Sequence, residues 1–131
     1  MNATYSITVD PARDLVRITL TGLFDEGALA CFIRARREAH AKLRCGPNRH
    51  LTLCDTSGIA IQRQDMVARW GGVLADPAFR SRRLAFLAAS TLARMQLHRA
   101  MGARDQHGAR VFLDRAEAEA WLFADAETRA A

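Results

Sequence analysis

The stretch His50 to Ile59 places an imidazole, a thiol (Cys54), a carboxylate (Asp55) and two adjacent hydroxyls (Thr56, Ser57) within ten residues. Two chemistries could come from these groups. One is nucleophilic catalysis by Ser57 with His50 and Asp55. The other is hydrogen bonding by Thr56 and Ser57 within the turn after the strand. The first fails on geometry. Alternation through Leu51 and Leu53 predicts a strand that His50 begins and Asp55 ends. At about 3.3 Å per residue those two lie roughly 16 Å apart. No Gly-x-Ser-x-Gly elbow is present. Gly58 and Gly71-Gly72 form no Gly-x-Gly-x-x-Gly or Walker pattern. Asp65 and Asp76 have no catalytic partner that spacing identifies. The expectation is a non-enzymatic chain.

Thr56 and Ser57 are read as hydrogen-bonding the turn after the strand, as Ser and Thr commonly do. A metal site is not expected. Cys31, Cys45 and Cys54 are widely spaced, with no Cys-x-x-Cys. His40, His50, His98 and His107 show no zinc spacing. Reduced thiols are expected, with Cys31 and Cys54 as small buried apolar groups. No cofactor is implied.

The elements that must position these groups follow from periodicity. Tyr5, Ile7 and Val9 alternate with polar residues, as do Val16, Ile18 and Leu20. These predict two strands joined as an antiparallel hairpin by the turn-like run from Asp10 to Asp14. Gly22 ends the second strand. Asp25 suits a helix N-cap, and Leu29, Phe32, Ile33, Arg36, His40 and Leu43 recur at helical spacing. Gly46-Pro47 is the expected stop. The strand through Leu51 and Leu53 is expected to end abruptly at Asp55-Thr56-Ser57-Gly58. A second helix covers about Gln64 to Leu74, with Gly71-Gly72 marking either a short helix or a close backbone contact. Leu84 to Ala88 reads as a buried strand. Ser90 caps a third helix built on Leu92, Met95, Leu97, Ala100 and Met101, which Gly102 stops. Val111 to Leu113 form the last strand. Asp114 to Glu117 resembles a capping box for a final helix with Ala118, Trp121 and Leu122 inward.

The order β-β-α-β-α-β-α-β-α makes an α/β single domain with a mixed five-stranded sheet. Crossovers of one hand, wound one way, collect the helices mainly on one face. The 131 residues suit one domain, over 1–124, with 125–131 as a frayed tail. No run approaches the roughly 18 apolar residues of a membrane span. The N-terminus carries no signal pattern, so a cytoplasmic location is expected. The net charge is +5, which raises a nucleic-acid partner. The cations are nearly all arginine, with Lys42 the only lysine, and they are dispersed beside carboxylates. That composition fits codon bias in a GC-rich genome, and a nucleic-acid role is not expected.

The chain resembles the STAS and SpoIIAA-like families, which include anti-sigma-factor antagonists. The resemblance rests on the element order, on Leu53-Cys54-Asp55-Thr56-Ser57-Gly58-Ile59, and on the closing stretch from Arg110 to Leu122 with its Ala118-x-x-Trp121-Leu122 pattern. It covers nearly the whole chain. It implies a SpoIIAA-like fold and a protein-interaction switch in which a kinase phosphorylates Ser or Thr in an Asp-Ser-Ser-Gly motif at the start of the second helix. Two registers are open. In the first, Asp55-Thr56-Ser57-Gly58 is that motif and Thr56, with Ser57 beside it, is the candidate phosphoacceptor; a phosphate there would bring about −1.5 to −2 charges, which Arg63 could stabilise and which would repel an acidic partner. In the second, it matches the preceding strand end, and the switch position falls at Arg63-Gln64-Asp65-Met66, which has no hydroxyl. The lack of any Ser or Thr from Ile59 through Arg80 favours the second.

The resulting expectation is a regulatory module that docks to another protein and lacks the ordinary phosphoswitch. The expected docking surface is Asp55, Gly58, Arg63, Gln64, Met66 and Trp70. Self-association through that face or an edge strand is left open. The alternative is a carrier or sensor of a small molecule, a lipid or a nucleotide. Trp70, Phe79, Met66 and Met95 would line its apolar pocket, and Arg80, Arg82 and Arg83 would meet an anionic group.

Overall fold

The computed structural model describes residues 2–102 and 108–130. Strands β1 (Thr4–Asp10) and β2 (Leu15–Gly22) form an antiparallel hairpin, in register from Thr4 opposite Thr21 to Asp10 opposite Leu15. A short 3-10 turn, Pro11–Arg13, joins them, and Asp14 closes it with φ 52°. The chain continues through α1 (Glu26–His40), β3 (Leu51–Ile59), α2 (Gln64–Ala75) and a 3-10 turn at Pro77–Phe79. It ends with β4 (Arg83–Leu87), α3 (Thr91–Met101), β5 (Ala109–Phe112) and α4 (Arg115–Ala130). The sheet runs in the order β1-β2-β3-β4-β5, with β2 to β5 parallel.

That order explains the layers. Each parallel crossover steps to the adjacent strand in the same direction, and a constant hand then leaves every crossover helix on one face. Helices α1, α2 and α3 cover that face, over a core that includes Val16, Ile18, Leu20, Phe32, Cys54 and Phe86. Helix α4 follows the last strand and takes the other face. There Ala118 and Leu122 close against Leu15, Leu51, Leu53 and Ala85. Covered on both sides, β3 is buried almost continuously from Leu51 to Thr56.

The local signals act as capping chemistry requires. Asp25 accepts a hydrogen bond from the Ala28 amide at 2.8 Å, and Ser90 accepts one from Ala93 at 3.1 Å. Gly22 has φ 79°, and a Cβ there would meet the Asn2 carbonyl oxygen at 2.1 Å, so only glycine fits. Gly71 lies inside α2 because α3 passes close by: a Cβ would sit 3.1 Å from the Ala100 carbonyl oxygen.

Four expectations change. β3 runs on to Ile59, so Asp55-Thr56-Ser57-Gly58 is strand, and the corner is Ala60 to Arg63. Helix α1 stops at His40, well before Gly46-Pro47, where amides of Lys42 and Leu43 fold back onto Ala39 and His40 carbonyls. Cys31 is exposed, because it lies on the opposite side of α1 from Leu29, Phe32 and Arg36. Helix α4 continues through residues 125–130, where a tail was expected.

Candidate functional site

Between the sheet and helices α1, α2 and α3 lies a cavity of about 110 Å³. Its walls are mostly apolar, from Ile18, Phe32, Trp70, Val73, Phe86 and Leu97. The strand period sets this composition. Thr52, Cys54 and Thr56 of β3 point to the cavity, while Leu51 and Leu53 point to α4.

Arg36 enters this site from the inward stripe of α1. It is 8% exposed. Its Nη1 donates to the Val73 carbonyl at 3.1 Å, and its Nη2 lies 3.9 Å from Asp76 Oδ2. The guanidinium carbon sits 4.2 Å from the Phe79 ring centre. Burial lowers the pKa of Arg36, and Asp76 opposes that shift. The group still carries its charge, because guanidinium does not deprotonate in proteins. Its Nε has no hydrogen-bond partner, and neither has Trp70 Nε1; these are the buried side-chain polar atoms left unpaired among the described residues.

Two histidines lie beside Arg36. The His40 ring meets His50 edge-on at 4.6 Å and Phe79 at 5.0 Å. Burial pushes both imidazoles down to about 4, helped at His40 by His50 and Arg36 and at His50 by Arg82. Both are neutral at pH 7. His50 Nε2 lies 3.1 Å from Ser81 Oγ, which lies 2.7 Å from Thr52 Oγ1.

At the other end of the cavity, Gln62 ties three elements together. Its side chain accepts from the Phe24 amide at 2.9 Å and donates to the carbonyls of Gly22 at 3.0 Å and Ala60 at 2.6 Å. Its backbone is held on both sides by the Gln96 side chain, at 2.8 and 2.7 Å. This clamp brings the β2 end, the β3–α2 loop and α3 to one rim. Leu23, Ile61, Leu92 and Met95 project from that rim into solvent.

Two solved structures share this architecture. One is an uncharacterised protein of the DUF3478 family with a SpoIIAA-like fold, from Shewanella loihica PV-4. It aligns over 93% of this chain and 96% of its own, with TM-score 0.70 and 13% identity. This chain has a SpoIIAA-like fold. The other is an anti-sigma factor antagonist from Mycobacterium paratuberculosis, aligned over 92% of this chain and 94% of its own, with TM-score 0.58 and 11% identity. No family model matches the sequence. No curated protein matches it either.

Within the SpoIIAA-like fold, the residues singled out from sequence disperse. Thr56 is 2% exposed and donates its hydroxyl to the Leu87 carbonyl at 2.7 Å, so it faces inward. Ser57 is exposed, and its hydroxyl and amide both donate to Asp55 Oδ1, at 2.6 and 2.9 Å. Asp55 lies on the α4 side and takes Arg115 Nη2 at 2.7 Å. Burial alone would raise its pKa; the Ser57 bonds and Arg115 outweigh that and hold the carboxyl below its usual range. His50 lies just before β3 and Asp55 at its middle on the α4 face, and no triad forms with Ser57.

Gly58, Arg63 and Gln64 are exposed near the rim, and Arg63 pairs with Asp65 at 3.2 Å. Met66 is core, at 5% exposure, because the inward face of α2 carries it. Trp70 is half-buried, with Phe24 and Phe32 at 5.3 and 5.2 Å. Phe79 and Trp70 do line the cavity, as expected of a pocket, but Met66 and Met95 do not. Met95 and Leu92 point outward because Ala93, Gln96, Leu97 and Ala100 form the inward stripe of α3. Arg80 lines the cavity, Arg82 donates to the Arg49 carbonyl at 2.6 Å, and Arg83 stacks on Trp121 across the sheet. The three arginines therefore do not converge on one anion. His107 lies outside the described residues. No group of three or more metal-ligating side chains occurs among the described residues, and no helix there is long and apolar enough to cross a membrane.

Sequence reasoning missed Arg36, Gln62 and Gln96. Arg36 had a signal: it falls on the apolar stripe with Leu29, Phe32 and His40. A cation in such a stripe is buried or reaches along it. Gln62 and Gln96 had none, since their pairing is made only by the fold.

Proposed function

We propose that this protein is a non-enzymatic interaction module that docks another protein through the rim around Gln62. The observation that carries the reading is the set of large apolar side chains exposed there. Ile61 is 45% and Met95 54% exposed, with Leu23 and Leu92 beside them on elements joined by the Gln62 clamp. Apolar groups gathered at one rim mark interaction surfaces more often than scattered ones do. The fold of a named anti-sigma factor antagonist supports the same reading. Arg63 and Arg94 are exposed beside these residues and favour a partner with carboxylates around an apolar centre.

The proposed module works without the standard phosphoswitch. Helix α2 opens with Gln64, Asp65 and Met66, none of which carries a hydroxyl. Thr56 is buried in β3, and Ser57 is engaged by Asp55. Co-expression with a cognate kinase should leave the intact mass unchanged; a phosphate at Thr56 or Ser57 would remove this part of the proposal.

The docking test uses Ile61→Asp and Met95→Asp. Both side chains point to solvent, so each variant should fold with a stability change of about 0.5 kcal/mol or less. A partner recovered from native lysate, purified and titrated, should bind each variant at least about tenfold more weakly. Equal affinity in both folded variants would count against this rim.

A further inference from the structure

The two edges of the sheet are built differently. Strand β5 is short, Ala109–Phe112, and carries the exposed Arg110. Short length and an exposed charge are two ways in which proteins protect a sheet edge. Strand β1, at the other edge, has neither. It runs for seven residues, Thr4–Asp10, in unbroken register with β2. From Thr4 to Val9 it has no charge, no proline and no bulge. The elements packed most closely on it are β2 and helix α1, and no strand lies on its outer side among the described residues. A row of backbone N–H and C=O groups therefore faces outward along it.

The side chains of β1 divide by face. Tyr5, Ile7 and Val9 point to the helix side, where Tyr5 meets Phe32 edge-on at 5.8 Å and Ile7 and Val9 pack against the core. None of the three is fully covered: Tyr5 is 37% exposed, and Ile7 and Val9 are half-buried. Thr4, Ser6 and Thr8 point to the other side and are exposed. The strand is self-complementary about Ile7. Laid antiparallel on a second copy of itself, Ile7 meets Ile7, Tyr5 meets Val9, Ser6 meets Thr8 and Thr4 meets Asp10. Apolar residues then lie beside apolar ones and polar beside polar, and no like charges oppose each other. A slip of one residue would set Tyr5, Ile7 and Val9 against polar side chains.

We propose that this protein forms a two-fold dimer by antiparallel pairing of β1 with β1 of a second copy. The two sheets join into one continuous sheet, with helices α1, α2 and α3 of both copies on the same face. The pairing satisfies the outward backbone groups and covers the half-exposed row of Tyr5, Ile7 and Val9. One strand from each copy makes a contact smaller than a standard interface, so a Kd on the order of 10 µM is expected. The start of β1 lies beside the end of β2, on the docking-rim side of the sheet. The two-fold axis therefore sends the two rims to opposite ends of the joined sheet, and one dimer can hold two partner molecules. The dimer itself does not rest on the docking rim.

The test is sedimentation velocity of the full chain from about 1 to 300 µM, a range that brackets the expected Kd. The wild type should pass from monomer to dimer across it. The double variant Ser6→Lys/Thr8→Lys sets like charges opposite each other across the axis and should dimerise at least about tenfold more weakly. Ser6→Asp/Thr8→Asp should do the same on its own. Mixed in equal amounts, the two should form a heterodimer within about threefold of wild-type affinity. Both positions are exposed, so the variants should fold, which circular dichroism checks. Without any variant, the outward amides of β1 should gain hydrogen-exchange protection as wild-type concentration rises. Ile61→Asp, at the rim, should leave the dimer unchanged. A wild type that stays monomeric to about 300 µM overturns the proposal, as does unchanged exchange along β1. So does a dimer that persists in both charged variants, fails to reform on mixing, or is lost with Ile61→Asp.

Discussion

The two faces of the sheet are built from the same strands and differ in every respect that bears on function. On the α4 face, Leu15, Leu51, Ala85, Ala118 and Leu122 are at most 1% exposed, and the charges stay at the edge. Arg115 holds Asp55 there, and Arg83 lies over Trp121. On the α1–α3 face, the core takes in Arg36, His50, Thr52, Thr56 and Gln62, and it leaves a cavity. A dry face fixes the fold, whereas a face that buries polar groups around a void is costly unless something fills it. The contrast separates the side that holds this molecule together from the side that carries its buried polar groups and its cavity.

Truncation on the sealed face should be the most damaging change. Leu122→Ala removes a fully buried side chain from a packed layer, with an expected loss of about 3 kcal/mol. Leu97→Ala, on the partly exposed cavity wall, should cost about 1 kcal/mol. Urea denaturation of both variants measures the gap. Equal losses would mean that the cavity side is packed as tightly as the other.

Acid should act through the cavity side. His40 and His50 have pKa values near 4 when folded and 6.5 when free, so the unfolded chain binds more protons below pH 6.5. Stability should be intact above pH 6.5 and fall as pH drops toward 4. Allowing for solvent screening at the half-buried His40, the loss from pH 7 to 5 should be about 2 kcal/mol. A His50→Gln variant should show a shallower slope in melting temperature against pH. An unchanged slope would remove His50 from this account.

The rim of the sealed face should matter least. Arg115→Ala breaks the 2.7 Å pair with Asp55, yet Arg115 is about half exposed. Its loss should cost about 0.5 kcal/mol or less and should shrink further in salt. A loss above about 2 kcal/mol would show that the pair behaves as a buried one.

Periodicity and capping residues made the architecture legible. Asp25 and Ser90 marked helix starts, Gly22 and Gly102 marked stops, and alternation separated Leu51 and Leu53 from Thr52 and Cys54. The site was less legible, for physical reasons. Asp55 to Gly58 look like a turn by composition, but pairing of β3 with β2 keeps them extended to Ile59. Met66 and Met95 look alike by residue type, and only the packing of α2 and α3 decides that one is core and the other exposed. Arg36 sat in plain view on an apolar stripe. Its missing partner is a property of the assembled interior, which no local pattern encodes.

The placement of α4 also bears on how the molecule is made. Five strands and three helices leave the ribosome before Ala118 and Leu122 do, with Leu15, Leu51, Leu53 and Ala85 still bare. Nascent chains halted ahead of that helix, or copies nicked before it, display a greasy strand surface of the sort that chaperones bind and that drives aggregation.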